Sequence, residues 1–308
     1  MAFDIIGDIH GCNDTLQALL QKLGYAVKDG VWSHPARKVI FLGDFIDRDL
    51  GQRNVIEIVR PMIEQGAAQA VMGNHEYNAI AWHTVVDGKP LRPNSEKNFR
   101  QHRAFLEAYP DDDERSEVID WFKTLPLWLD TGELCVIHAC WDPTLMLRIA
   151  DTQQGSHLLG DELLFESSRK GSWQHTAIET LLKGKEISLP DGVIFHDKDG
   201  NPRNEIRVRF WDRTVMNYQE AFFGPEKFRT HIPEHPIEHD YVIDYDASLP
   251  PLFLGHYWLD SKPAPLASNI ACVDYSVAKA GGRLVAYRWD GEQQLSNEKF
   301  VCVNRIEA

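Results

Sequence analysis

Aspartate, asparagine, histidine and arginine recur in one pattern along this 308-residue chain, each group following directly on a short apolar run. Gly7-Asp8-Ile9-His10-Gly11 follows Phe3 to Ile6, Gly43-Asp44-Phe45-Ile46-Asp47-Arg48 follows Lys38 to Leu42, and Gly73-Asn74-His75-Glu76 follows Ala68 to Met72. His138 after Val136-Ile137 and His256 after Leu254-Gly255 repeat the design. A single Gly-Asp makes a turn and a single His makes a hydrogen bond. Five such run ends in one chain do not read as five independent turns. Oxygen and imidazole donors without thiolates suit a hard or borderline cation such as Mn²⁺, Fe or Zn²⁺. In extended backbone, Asp-x-His turns both side chains to one side. The donors at hand suffice for two ions that share one carboxylate.

Positioning them requires strands. Phe3 to Ile6, Lys38 to Leu42 and Ala68 to Met72 read as strands, and Thr15 to Leu23, capped by Asn13 or Asp14, and Val55 to Glu64 read as helices between them. That alternation predicts right-handed β-α-β units and a parallel or mixed sheet. In open α/β sheets, sites form at the carboxyl ends of strands, where the three glycine-bearing loops should converge. The stretch Asn94 to Leu125 reads as helical, broken at Pro110, with Asp113 placed to cap its second part. Leu127 to Asp130 and Leu134 to His138 read as a strand pair around Thr131-Gly132. After Trp141 the pattern becomes irregular. Thr144 to Ala150 and His175 to Leu182 read as helices, and Gly192 to His196 and Glu205 to Trp211 flank a hairpin signal at Asp199-Gly200. The last seventy or so residues return to strands, Leu252 to Gly255, Ile270 to Asp274, Arg283 to Trp289 and Phe300 to Val303, expected to be antiparallel. The expectation is a single domain over 1–308 with an insertion or cap at 142–249.

Composition narrows the partners. A hydrophobic share of 43% with 25% charged residues is an ordinary globular mixture. No apolar run reaches the roughly 18 residues of a membrane helix, and MAFDIIGDIHGC has no signal-peptide pattern, so a cytoplasmic protein without a membrane partner is expected. Five cysteines without a Cys-x-x-Cys pair argue against a disulfide framework or a structural zinc cage. The net charge of −14 repels polyanions and argues against long nucleic acid. A small phosphorylated substrate or a phosphoprotein stays compatible, because bound cations reverse the sign locally.

The three Gly-containing blocks, in this order and spacing, resemble the signature blocks of the calcineurin-like metallophosphoesterases. The likeness is strongest to the phosphoprotein-phosphatase branch, with its bacterial serine/threonine phosphatases and diadenosine tetraphosphatases. His138, Gly255-His256 and Cys272-Val273-Asp274 extend the likeness, which spans about 3–141 and 250–290. The resemblance implies an α/β fold, an α-β-β-α sandwich with mixed sheets. It implies two divalent ions, manganese foremost and iron or zinc tolerated. Asp8 and His10 would bind the first ion, Asp44 would bridge, and Asn74, His138 and His256 would bind the second. Arg48 would clamp the substrate phosphate, Asn74 would contact it, and His75 would be the general acid, held by Asp47. Physical chemistry agrees: a planar guanidinium suits bidentate phosphate contact, and an imidazole fixed by a carboxylate can protonate a leaving oxygen. Glu76 is expected to brace the loop as an ionic support.

The chain departs from the family where Asp49 stands in place of glycine after Arg48, where Tyr257-Trp258 follows His256, and where Cys140-Trp141 follows His138. Among the remaining residues, Arg207, Arg209 and Arg213 are candidates for a second phosphate-binding guanidinium, with a solvated strand face preferred for them. Trp211, Tyr218, Phe222 and Phe223 suit either a nucleobase stack or the core of the insertion. His231, His235 and His239 fall at four-residue spacing, but Pro233 and Pro236 make loop surface the better reading.

The expected activity is hydrolysis of phosphate monoesters, phosphoserine or phosphothreonine proteins among them, by direct attack of a metal-bridging hydroxide. The alternative is hydrolysis of dinucleoside polyphosphates by the same centre. A non-catalytic scaffold is disfavoured, because Asp47, Arg48 and His75 serve chemistry rather than folding.

Overall fold

The apolar residues of Ala2–Ile6 and Arg37–Phe41 are buried on both faces of their strands, which marks them as central in a sheet. The computed structural model describes residues 1–196, 200, 202–237 and 241–307. In it Ala2–Ile6, Arg37–Phe41 and Ala68–Ala70 lie parallel, in register Ile6 to Phe41 to Ala70. Antiparallel to Ala2–Ile6 runs Arg283–Trp289, which also pairs with Asp274–Tyr275 and Phe300–Asn304. A second sheet has the order Ile270–Cys272, Leu252–Leu254, Cys135–Ile137, Trp128–Asp130. The two sheets share one hydrophobic core, with Phe253 of one against Tyr287 of the other at 5.2 Å between rings. Helices Asn13–Leu23 and Gln52–Glu64 pack on the first sheet. Helix Trp173–Lys183 covers the second, where the Leu181 carbonyl accepts from the Ala139 and Cys140 amides. This is the α/β arrangement with mixed sheets that the strand and helix alternation predicts.

Local details differ from expectation. The first helix starts at Asn13, its cap position is Cys12, and neither Asn13 nor Asp14 caps it. The helix Asp112–Lys123 is capped by Asp111, whose carboxylate accepts from the Asp113 and Glu114 amides, so Asp113 lies inside the first turn. The C-terminal strands are not all antiparallel: Leu252–Leu254 is parallel to both of its neighbours. Its buried run, apolar on both faces, is the signature of such a strand.

Within 142–249, helices Pro143–Thr152, Asp161–Ser167 and Trp173–Lys183 join the main core, whereas Ile187, Phe195, Ile206, Val208, Tyr218 and Phe222 belong to a small second cluster. Phe195–His196 pairs with Pro202–Arg203, while Glu205–Arg207 pairs with Glu186–Ser188 instead of closing the expected hairpin. Asp199 of that turn, and His239, lie outside the described residues. His231 and His235 are exposed, as expected of loop surface. No helix among the described residues is long and apolar enough to cross a membrane.

The first strand carries one buried charge. Asp4, fully buried, accepts from Tyr25 Oη at 3.0 Å, Arg37 Nε at 2.9 Å and Arg288 Nε at 3.1 Å. Deleting one member of a buried ion network strands the others without a counter-charge, at a cost of about 3 kcal/mol or more. Asp4→Ala is therefore expected to destabilise the chain by about 3 kcal/mol, read as a lower urea midpoint at unchanged m value.

Candidate metal centre and phosphate cleft

Aligned strand ends deliver the loops to one place. The Asp44 carbonyl accepts from the Ile9 amide at 3.1 Å and the His10 amide at 2.8 Å, and the His138 carbonyl accepts from the Gly255 amide at 2.8 Å. Two glycines permit the closest approach. A Cβ on Gly43, at φ 85°, would sit 2.3 Å from the Gly73 nitrogen, and one on Gly73 would sit 2.3 Å from Asp44 Oδ1. Six non-glycine residues of these loops, His10, Asp44, Asp47, Arg48, His256 and Trp258, hold φ between 49° and 81°. Such backbone is costly and persists where surrounding structure enforces it. At Asp44 that enforcement comes from Glu76, which is fully buried and accepts from the amides of Asp44, Phe45 and Gly73 at 2.8, 2.8 and 3.0 Å. Glu76 is a brace, as expected, but through backbone hydrogen bonds rather than an ion pair.

The side chains then converge. Asp44 Oδ2 lies 3.7 Å from His10 Nε2, 3.4 Å from His138 Nε2 and 4.0 Å from His75 Nε2, while Asp44 Oδ1 accepts from the His75 amide at 2.9 Å. His138 donates from Nδ1 to the Leu42 carbonyl at 2.6 Å, and His10 from Nδ1 to the Ile46 carbonyl at 3.0 Å. With those protons placed, each Nε2 is left facing inward. His138 Nε2 lies 3.3 Å from Asn74 Oδ1; burial opposes a proton there, but Asp44 outweighs it and raises the ring above its usual value. His10 Nε2 and both His256 ring nitrogens are buried without a hydrogen-bond partner. Two trios of ligand atoms lie within 4.8 Å of one another, His10–Asp44–His75 and Asp44–His138–His256, with Asp44 common to both. Asp8, expected as a ligand of the first ion, is in neither trio and accepts from the His256 amide, whereas His75 stands in the first. Like charge on Asp44 and Asp274 opposes the Asp8 carboxylate, which takes the His256 amide at 3.1 Å.

Electrostatics describe a site made for positive charge. Burial, then Asp274 and Asp44, push Asp8 well above the usual carboxylate range. Burial and then Asp44 raise Glu76 to about 7. Burial, then the neighbouring His75, lower His10 to about 3, and burial followed by Arg207 lowers His256, so both imidazoles are neutral donors. Buried carboxylates repelling one another beside unprotonated, unpartnered imidazoles fit divalent cations, whose charge offsets these penalties.

Around the donors stand the residues of chemistry. His75 Nδ1 donates to Asp47 Oδ2 at 2.6 Å, as the resemblance implies. Arg48, exposed, lies over the Trp258 ring at 4.9 Å, and Lys279 Nζ lies 4.7 Å from the same ring. Asp49 does not intrude on Arg48: its carboxylate is paired with Arg305 at 2.6 Å and takes the Cys12 thiol at 3.4 Å. A cleft of about 360 Å³ opens over His75, Asn74 and His256. Arg207 lines it, 29% exposed and 3.6 Å from Glu186, instead of lying on a solvated face. The reason is pairing with Glu186–Ser188, which turns that strand toward His256. Arg213 pairs with Asp244 on the surface and Arg209 is outside the cleft lining. Of the aromatics, Phe222 and Phe223 line the cleft, Trp211 packs on Phe223 at 5.1 Å, and Tyr218 is core. Residues that the sequence reading did not single out as site residues are His102 and Asp274. The Asp274 Oδ2 accepts from the Trp258 amide at 2.6 Å. Asp274 falls in a stretch that extends the family likeness, whereas His102 carries no spacing signal and only packing reveals it.

A family model described as calcineurin-like phosphoesterase matches residues 1–232. A bis(5'-nucleosyl)-tetraphosphatase PrpE (asymmetrical) of Bacillus subtilis is 39% identical over 145 residues, 45% of this chain and 57% of that protein. The chain thus spans little more than half the length of this curated relative. The corresponding protein of Geobacillus thermodenitrificans is 35% identical over 254 residues, 75% of this chain and 99% of its own. A serine/threonine phosphatase from Saccharomyces cerevisiae with similarity to human phosphatase PP5 shares the fold at TM-score 0.55 and 14% identity, covering 100% of this chain and 81% of the other. The matched length and the donor-lined strand ends lead to one conclusion: the chain belongs to the calcineurin-like phosphoesterases.

Proposed function

We propose that this chain hydrolyses dinucleoside polyphosphates, cutting a phosphoanhydride bond at a centre of two divalent ions. The observation that carries the reading is the cleft wall. Six cations of the lining, Arg48, Lys97, Arg203 and Arg207 among them, outnumber its acids Glu179, Glu186 and Glu205, and share the cleft with aromatic Phe222 and Phe228 and with His75 and His256. In a chain of net charge −14, that concentration of positive side chains suits a polyphosphate, and aromatic rings suit a base. The matched relatives bear a name of this activity. Phosphate monoester hydrolysis, phosphoprotein included, is supported by family membership alone.

In this reading Asp8 and His10 would hold one ion, Asn74, His138 and His256 the other, and Asp44 would serve both. Two such ions would supply an activated water and offset charge on the attacking and leaving oxygens. Manganese leads, since oxygen and imidazole donors accept it readily, with iron and zinc also compatible. Arg48, fixed against Trp258, and Arg207 orient the phosphates. His75, with Nδ1 held by Asp47, offers Nε2 to the leaving oxygen, and Asn74 lines the phosphate position. The segment 142–249 belongs to the same domain and supplies the specificity wall through Arg203, Arg207 and Phe222.

Elemental analysis after dialysis against Mn²⁺ tests the centre: about two ions per chain are expected. Asp44→Asn should lose most of both and His256→Ala one; full loading of Asp44→Asn would contradict the shared-ligand arrangement. A panel of dinucleoside tetraphosphate, aryl phosphate and phosphopeptide tests the substrate. The highest kcat/KM is expected on the dinucleotide, and Arg207→Ala should raise its KM about tenfold while leaving the aryl phosphate nearly unchanged. Orthophosphate released from the phosphopeptide with the dinucleotide untouched would restore the monoester reading.

A further inference from the structure

Asp47 is held at both carboxylate oxygens. His75 Nδ1 reaches Oδ2 at 2.6 Å, and His102 Nδ1 reaches Oδ1 at 3.2 Å. His102 comes from helix Glu96–Ala108, remote from the strand ends, and is fully buried with its ring 4.9 Å from that of Phe105. Its Nε2 lies 3.3 Å from His83 Nε2. A carboxylate only accepts, so both Nδ1 atoms carry hydrogen, and one of the two facing Nε2 atoms of His83 and His102 donates to the other.

We infer that His102 is a positioning residue for proton transfer: it occupies Asp47 Oδ1, so that Oδ2 stays aimed at His75 Nδ1 and His75 Nε2 stays turned into the cleft. The inference rests on the reading of His75 as proton donor to the leaving oxygen. In that step the Nε2–H bond of His75 breaks as the leaving oxygen gains the proton. Nδ1 keeps its hydrogen, Asp47 stays anionic, and no proton passes through His102. Water returns the proton to His75 afterwards. The carboxylate is suited to this part: burial alone would raise its pKa, but hydrogen bonds from His102 and then His75 bring it to about 2, so Asp47 does not take the proton from His75. Without His102, Oδ1 would be a buried acceptor lacking a partner, and the carboxylate could rotate toward another donor.

The test compares leaving groups, because an acid matters most when the departing oxygen is strongly basic. Phenyl phosphate and 4-nitrophenyl phosphate are offered to the metal-loaded full chain, to His102→Phe (ring packing kept, donor lost), to His102→Asn (one donor kept) and to His75→Ala. If monoesters are not turned over, the same two leaving groups are offered on the terminal phosphate of a nucleoside polyphosphate. For His102→Phe, kcat on the phenyl ester is expected to fall about tenfold more than on the nitrophenyl ester. KM and metal content should stay near wild type, and His102→Asn should recover part of the loss. An equal loss on both esters, or none, overturns the inference. If His75→Ala itself shows equal losses, the proton-donor reading falls and the role of His102 with it. Should His102→Phe fail to fold by circular dichroism, His102→Leu takes its place with the same two outcomes.

Discussion

One buried carboxylate organises this molecule. Asp44 is 1% exposed and has three imidazoles within 4.0 Å of its Oδ2, while its Oδ1 is tied to the backbone of the next strand end. An anion so deep is tolerated only amid positive or polarisable neighbours, because desolvation alone would neutralise it. The four loops around it are arranged to meet that requirement. Gly43 and Gly73 let backbones touch, Glu76 collects three amides, and Asp44 and Asp47, both at positive φ, are buried.

That arrangement separates duties between the two sheets. The parallel strands of the first sheet deliver Asp8, His10, Asp44, Asp47, Arg48, Asn74 and His75 from consecutive β-α-β units, so their relative positions follow from adjacent register. The second sheet delivers only His138 and His256, one from each of two parallel neighbours. The two sheets meet over a common core, so the histidines and the aspartate are held by packing rather than by loop hydrogen bonds alone. The strands of this calcineurin-like phosphoesterase core thus fix the donors, while the segment after Trp141 contributes Arg203, Arg207 and Phe222 to the cleft lining.

The wall is where specificity resides in the proposed reading. Arg207 arrives through the pairing of Glu205–Arg207 with Glu186–Ser188, beside the cluster built on Ile206, Val208 and Phe222. Trp258, a departure from the family pattern, lies under both Arg48 and Lys279. Cations stacked on an indole stay hydrated on one side and oriented on the other, a suitable state for a group that must meet phosphate. Asp49, the other departure, is drawn off by Arg305 near the C-terminal end of the chain. Both substitutions thus find neighbours that keep Arg48 available.

The sequence by itself determined the strand ends and what they carry. Period and turn chemistry located Ala2–Ile6, Arg37–Phe41 and Ala68–Ala70 within a residue or two, and a loop following a strand inherits its place from the sheet. Legible too were the His75–Asp47 pair and the bracing Glu76, because they sit inside the same motifs. Tertiary structure alone decided the rest. Side chains that come from helices or from the segment after Trp141, such as His102 and Arg207, have no fixed spacing to the motifs they pack beside. Their part depends on which face of an element turns inward. The same is true of the parallel direction of Leu252–Leu254 and of the partner that Asp49 finds. Local sequence encodes period and turn, but contact between distant segments is set by packing the whole core at once.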